Sequence, residues 1–171
     1  DPFAVTVPDG MTAREALGAA MREGYTAQTG YDHSDATDAE LLDALVYNVF
    51  PNFAPWGGFM PNIVYRWRPG TTPDTCLMEV RILARVKKGE PIPRSVPMHL
   101  IGPDQKWSDA AEIGVLGDVF NQDMDNLPYV QQGLHASKTG RVNLGDYQEI
   151  RIRQFHQTLD KYLSGELGAT K

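Results

Sequence analysis

The residues of this 171-residue chain that could carry chemistry are four histidines, one cysteine and a scatter of carboxylates. His33, His99, His135 and His156 form no His-x-x-x-His pair and no His-Glu-x-x-His run, so their spacing alone assembles no metal site. Cys76 stands alone, which excludes a disulfide framework and a cysteine-held cluster within this sequence and fits a reducing cytoplasm. No glycine-rich phosphate loop follows a strand, and no nucleophile elbow is present. His33, beside Asp32 and Asp35, reads as a solvated turn residue. His135 reads as a cation complementing the end of a helix, and His156, next to Phe155, as a local hydrogen-bonding group.

One carboxylate stands apart. In Gly114–Ser137 (GVLGDVFNQDMDNLPYVQQGLHAS), Leu116, Phe120, Leu127, Val130 and Leu134 recur at helical spacing, and Asp123 falls in the same stripe. An ionised carboxylate on a buried face is costly unless it is paired or coordinates a metal. The pattern therefore leaves open an N-cap, a core ion pair, a partly exposed face or a metal ligand. Pro128 interrupts the stripe and should kink or break the helix there.

The elements that must position these residues follow from local patterns. Residues 1–10 read as an extended lead-in. Thr12 and Glu15 form a capping box ahead of a helix over about 12–24, and the segment 26–35 is polar and turn-rich. A second box, Thr37 with Glu40, starts a short helix through Leu41, Leu42 and Leu45. Val46–Phe50 has strand character and Pro51 ends it. Residues 51–61 (PNFAPWGGFMP) hold three prolines, two glycines and three aromatics, which suits either a plug at the mouth of a sheet or the wall of an apolar cavity.

Two alternating runs follow. Ile63, Tyr65 and Trp67 share one face, and so do Met78, Val80, Ile82, Ala84 and Val86; the PGTTPDT turn between them predicts an antiparallel pair. Residues 87–108 are irregular. A helix, in one piece or two, should run from about Ser108 or Gly117 to Ser137. A last helix over 147–163 should turn Ile152, Phe155, Leu159 and Leu163 inward. The expected class is α+β, an antiparallel sheet packed on one side against a long C-terminal helix.

Size and charge narrow the partners. The chain is long enough for one domain with a real core and shows no composition shift that argues for two. A net charge of −6 gives no basic stripe for nucleic acid or an anionic membrane surface. No apolar run approaches the roughly 18 residues of a membrane span. The sequence starts Asp1-Pro2-Phe3, with neither an initiator Met nor a signal-peptide pattern, so a fragment or processed product is expected.

The run DVFNQDMDNLPYVQQGL (Asp118–Leu134) resembles a segment of the catalytic domain of Rieske non-haem iron ring-hydroxylating oxygenase α subunits, with Phe120, Asp123 and Val130-Gln131-Gln132-Gly133-Leu134 at the matching places. NVFPNF (Asn48–Phe53) is similar to the family's cavity-lining strand, and IRQFHQTLDKYL (Ile152–Leu163) to its closing helix. The resemblance implies a helix-grip (START/Bet v1-like) fold, here an incomplete domain. It also implies that Asp123 is the carboxylate of a 2-His-1-carboxylate triad holding mononuclear Fe(II), with open positions for O₂. Val46, Phe53, Trp56, Phe59 and Val119 become candidates for the substrate cavity.

The chain lacks the family's Asp-x-x-His-x-x-x-x-His segment and its Cys/His cluster motifs. The expectation is therefore the C-terminal portion of a catalytic domain, with the Rieske [2Fe-2S] domain and the two-His segment outside it and the piece inactive alone. The intact cytoplasmic enzyme would hydroxylate or demethylate an apolar, aromatic substrate, as a homotrimer or α3β3 assembly fed by a ferredoxin or reductase. The alternative is a non-enzymatic helix-grip domain that binds an apolar ligand without metal.

Overall fold

A computed structural model describes residues 5–60 and 62–167, so part of the expected lead-in and Pro61 of the aromatic loop lie outside the described residues. The chain divides into two units, one of Asp1–Pro69 with Cys76–Arg94 and one of Gly70–Thr75 with Ser95–Lys171.

In the first unit, α1 (Ala13–Thr29) starts on the expected capping box. Thr12 Oγ1 accepts from the Glu15 N–H at 3.2 Å, and Glu15 accepts from the Thr12 N–H at 2.7 Å. The helix runs five residues past its expected end. Gly24 inside it weakens the helix by only about 1 kcal/mol, and the buried Thr29 continues it by donating its hydroxyl to Tyr25 O at 2.7 Å. Gly30, at φ 72°, then closes it through a bond from its N–H to Thr26 O.

The second box starts α2 (Asp38–Leu42) as expected. Its Leu41 is 1% exposed, the most enclosed side chain of the unit. Gly18 leaves room on α1 for the Asp38 carboxylate, which pairs with Arg22, while Arg22 Nε donates to Ala36 O at 2.7 Å. Arg14 holds both oxygens of Asp43 at 2.8 Å.

Four strands follow as an antiparallel meander, in the order β1 (Leu45–Val46), β2 (Phe53–Gly57), β3 (Ile63–Pro69), β4 (Cys76–Ile82). The expected Val46–Phe50 strand shrinks to two paired residues. Within residues 51–61, read from the sequence as a plug or a cavity wall, Phe53–Gly57 forms β2. Val49 and Phe53 exchange both backbone bonds around a turn that contains a cis Phe50–Pro51 peptide, and Asn52 bonds Trp67 through its backbone and its side chain.

Pro55 is tolerated inside this sheet because of the direction of its missing N–H. In a strand the N–H and C=O of one residue point to the same edge, and Pro55 O accepts from Tyr47 N, on the β1 side where regular pairing has ended. The β3–β4 hairpin forms in the expected pairing, with Ile63 opposite Ile82, Tyr65 opposite Val80 and Trp67 opposite Met78. β4 ends at Ile82 rather than Val86, since the chain leaves after Leu83 and returns to bond Lys88 N to Thr29 O at 2.8 Å.

The sheet has two chemically distinct faces. One carries Val46, Ala54, Trp56, Ile63, Tyr65, Trp67, Met78, Val80 and Ile82, with Ala54 and Ile63 buried at its centre. On the other, Arg66 and Arg68 each contact Glu79 at 2.7 Å and Arg81 approaches it at 3.8 Å.

The second unit is built on α3 (Leu116–Met124), α4 (Leu127–Ala136) and α5 (Ile150–Leu163). Its small core is Phe120 on α3, 3% exposed, against Trp107 in a preceding 3-10 turn. α5 forms as expected, but of the four residues expected inward Phe155 and Leu159 are half-buried, whereas Ile152 and Leu163 are exposed. The structure is thus α+β with an antiparallel sheet and C-terminal helices.

Candidate active site

Helix α3 places Asp123 by the way its opposite side is anchored. Gly117 lies so close to the Trp107–Ser108 backbone that an added Cβ would stand 2.7 Å from Ser108 Cα. Asn121 clamps the same turn, accepting from Trp107 N at 2.7 Å and donating to Ser108 Oγ at 2.9 Å. With Gly117, Phe120 and Asn121 facing the turn, Val119 and Asp123, one helical turn apart, share the outer side. Val119 is 48% exposed, and Asp123 is exposed without a hydrogen-bond or ion-pair partner among the described residues.

This corrects the stripe expected from the sequence. α3 stops at Met124, and α4 begins at Leu127 with Pro128 in its first turn, where an N–H is not needed. Leu127, Val130 and Leu134 therefore belong to a second helix with its own phase, and all three are exposed. Asp123 is neither buried, nor a cap, nor half of a core ion pair. Its carboxylate is hydrated, so nothing in its surroundings has to compensate its charge.

The cavity candidates of the first unit fall into separate environments. Val46 and Trp56 face each other across β1 and β2 on the apolar face, and the Trp56 indole N–H is buried without a partner among the described residues. Phe53 is on the opposite face, beside a shallow groove of about 90 Å³ that it lines with Val64, Arg66, Glu79 and Arg81. Phe59 lies beyond β2, its N–H donating to Glu40 O at 2.7 Å. Its ring is 4.9 Å from that of Tyr25 and 5.3 Å from that of His33, under the Arg85 guanidinium at 4.3 Å. Phe59 thus packs against Tyr25, His33 and Arg85. Val119, on α3, belongs to the other unit.

Of the histidines, His33 departs from expectation and His135 keeps its expected place. His33 is half-buried in the Tyr25–Phe59 cluster and lies 2.9 Å from Tyr31 O through Nδ1, so it is not a solvated turn residue. His135 does occupy the last turn of α4, and it also lies 3.0 Å from Asp74, with Gln131 donating to the same oxygen at 3.0 Å. His99 meets Glu112 at 3.2 Å. His156 stacks edge-on against Phe155, with ring centroids 5.5 Å apart. The Arg66–Glu79–Arg68 cluster was legible only after pairing the strands across PGTTPDT, which sets these alternate residues on one face.

Several carboxylates are held below their usual range. Backbone N–H groups of the two caps do this for Glu15 and Glu40, and the Arg14 guanidinium does it for Asp43. For Glu79, burial pushes upward, but bonding to Arg66 and the neighbouring positive charges outweigh it.

A mononuclear iron on this chain would need two imidazoles beside the carboxylate. Asp123 has the chemistry and the free oxygens for one of those positions. No group of three His, Cys, Asp or Glu side chains that could hold a metal occurs among the described residues, so they do not make up the donor set. Nor is any helix among them long and apolar enough to cross a membrane. No curated relative and no solved structure matches the chain. A family model described as the catalytic domain of the ring hydroxylating alpha subunit matches residues 5–165, nearly the whole length. The chain belongs to the ring-hydroxylating oxygenase alpha-subunit family, within its catalytic domain.

Proposed function

We propose that these residues form the C-terminal portion of the catalytic domain of a Rieske-type non-haem iron oxygenase, and that Asp123 is the carboxylate ligand of its mononuclear Fe(II). In this reading the two imidazole ligands and the [2Fe-2S] domain come from polypeptide outside these residues. The iron, when bound, supplies O₂ activation toward an apolar, aromatic substrate that is hydroxylated or demethylated. Electrons reach it from a ferredoxin or reductase, in a homotrimer or α3β3 assembly. Val119 lies beside Asp123 on α3 and would stand at the rim of the substrate cavity, with Val46, Phe53, Trp56 and Phe59 as further candidates.

The observation that carries this reading is the state of Asp123 within a chain of this family. Its carboxylate is exposed, has no partner among the described residues and sits on a helix fixed from behind by Gly117, Phe120 and Asn121. A ligand carboxylate needs a rigid carrier and free oxygens, and Asp123 has both, on the side of α3 that also carries Val119. In the intact protein, Asp123→Ala should abolish bound mononuclear iron and turnover while the Rieske absorbance persists. Asp118→Asn, at the first turn of the same helix, should leave both in place. Retention of iron and turnover in Asp123→Ala would remove Asp123 from the site.

A further inference from the structure

Beyond β4 the chain returns to the C-terminal end of α1 and is pinned at two points. Arg85 lays its guanidinium over the Phe59 ring at 4.3 Å and the Tyr25 ring at 5.5 Å, and its Nη2 donates to Gly58 O at 3.3 Å. Three residues on, Lys88 N donates to Thr29 O at 2.8 Å, and an added Cβ on Gly30 would stand 3.5 Å from Lys88 Cβ. A turn then closes from Glu90 N to Lys87 O at 3.1 Å, with Gly89 at φ 82° inside it.

A cavity of about 280 Å³ lies between this segment and α1. Gln28, Arg85, Lys87 and Glu90 supply its polar lining, and Val86, Pro91 and Pro93 supply apolar surface. The polar side chains do not satisfy one another. Arg85 makes only the bond to Gly58 O, and Gln28, Lys87 and Glu90 make no side-chain hydrogen bond or ion pair among the described residues. Lys88 is occupied elsewhere, with its ammonium 6.0 Å from the centre of the Tyr31 ring.

We infer that this cavity binds a small carboxylate with an apolar body. A guanidinium presents its N–H donors in a planar fork that matches a carboxylate, and most donors of Arg85 are unused. Because Arg85 is already stacked and bonded, it has little rotamer freedom left to lose when a ligand arrives. The Lys87 ammonium adds a second positive charge, and the Gln28 amide a neutral donor.

Charge and shape select among anions. Arg85 and Lys87 against Glu90 leave a single net positive charge, which a monocarboxylate balances and a phosphate dianion exceeds. Val86 and the two prolines offer a wall for hydrocarbon, which inorganic phosphate cannot use. The volume lies at the small end of ligand sites, so the apolar body has few heavy atoms.

The test is an amide-shift titration of the 171-residue chain by nuclear magnetic resonance, with hexanoate as probe, hexanol as its uncharged counterpart and inorganic phosphate as the dianion. Hexanoate should shift the amides of Gln28, Arg85, Lys87 and Glu90 with a Kd of about 1 mM, and the other two should bind at least about tenfold more weakly. Arg85→Gln should weaken hexanoate at least about tenfold, and Arg85→Lys, which keeps the charge and loses the fork, should weaken it less. Glu90→Gln should tighten hexanoate, a gain that damage to the fold cannot imitate. No shift at roughly 10 mM hexanoate overturns the inference. So does hexanol or phosphate binding as tightly as hexanoate, and so does an Arg85→Gln chain that binds unchanged. If Arg85→Gln loses its far-ultraviolet spectrum, the exposed Lys87→Gln and Glu90→Gln decide: they should move the affinity in opposite directions, and no change in either overturns the inference. None of these results depends on iron or turnover.

Discussion

Trp107 and Phe120 hold their ring centroids 5.3 Å apart at 59°, and this contact is what ties the helix carrying Asp123 to the turn before it. Tilted aromatic pairs contribute about 0.5–1.5 kcal/mol beyond the area they bury. Here the pair is reinforced by the close Gly117–Ser108 approach and by the two Asn121 bonds. The orientation of the outer side of α3 is therefore decided by contacts on its inner side.

Removing that anchor should be costly. Phe120→Ala leaves a cavity in a core with few other members and should destabilise the second unit by about 3–5 kcal/mol. Gly117→Ala drives a Cβ into backbone and should cost about 1–3 kcal/mol. Urea unfolding followed by tryptophan fluorescence and circular dichroism checks both. Losses below about 0.5 kcal/mol would mean that α3 is held elsewhere.

Asp123 should behave in the opposite way. With its carboxylate exposed and unpaired, Asp123→Asn should change the stability of the 171-residue chain by less than about 0.5 kcal/mol. The same chain should bind iron poorly, since one carboxylate is not a site, and metal analysis after reconstitution checks this. Stoichiometric iron, or a large stability loss in the variant, would show partners for Asp123 that the structure does not contain.

Acid should weaken the first unit through its helix caps. Glu15 and Glu40 have folded-state values lowered from 4.5, foremost by the Thr12 and Thr37 N–H groups, and Asp43 is lowered from 3.8 by Arg14. A depressed carboxylate stabilises the fold above its unfolded value, and that stability is lost as pH falls through the folded value. The urea midpoint should therefore hold from pH 7 to about 5 and fall below about 4.5. Thr12→Ala and Thr37→Ala should each cost about 1 kcal/mol near neutral pH, and together they should flatten the acid limb. A limb as steep as in the wild type would assign the acid loss to other groups.

The sequence by itself determined the features whose causes are local. The two capping boxes, the β3–β4 hairpin across PGTTPDT and the motif that names the family all depend on residues a few positions apart, and each was legible. Tertiary structure decided what depends on long-range pairing. Phe53–Gly57 became a strand because Phe53 and Asn52 found backbone partners in Val49 and Trp67, which no local propensity for Pro- and Gly-rich sequence foretells. His33 was drawn from its turn into an aromatic cluster by Tyr25 and Phe59. The stripe through Asp123 dissolved for the same reason. Periodicity counts residues along one assumed axis, whereas a second helix begins at Pro128 and the contacts of Gly117, Phe120 and Asn121 set which side of α3 is buried.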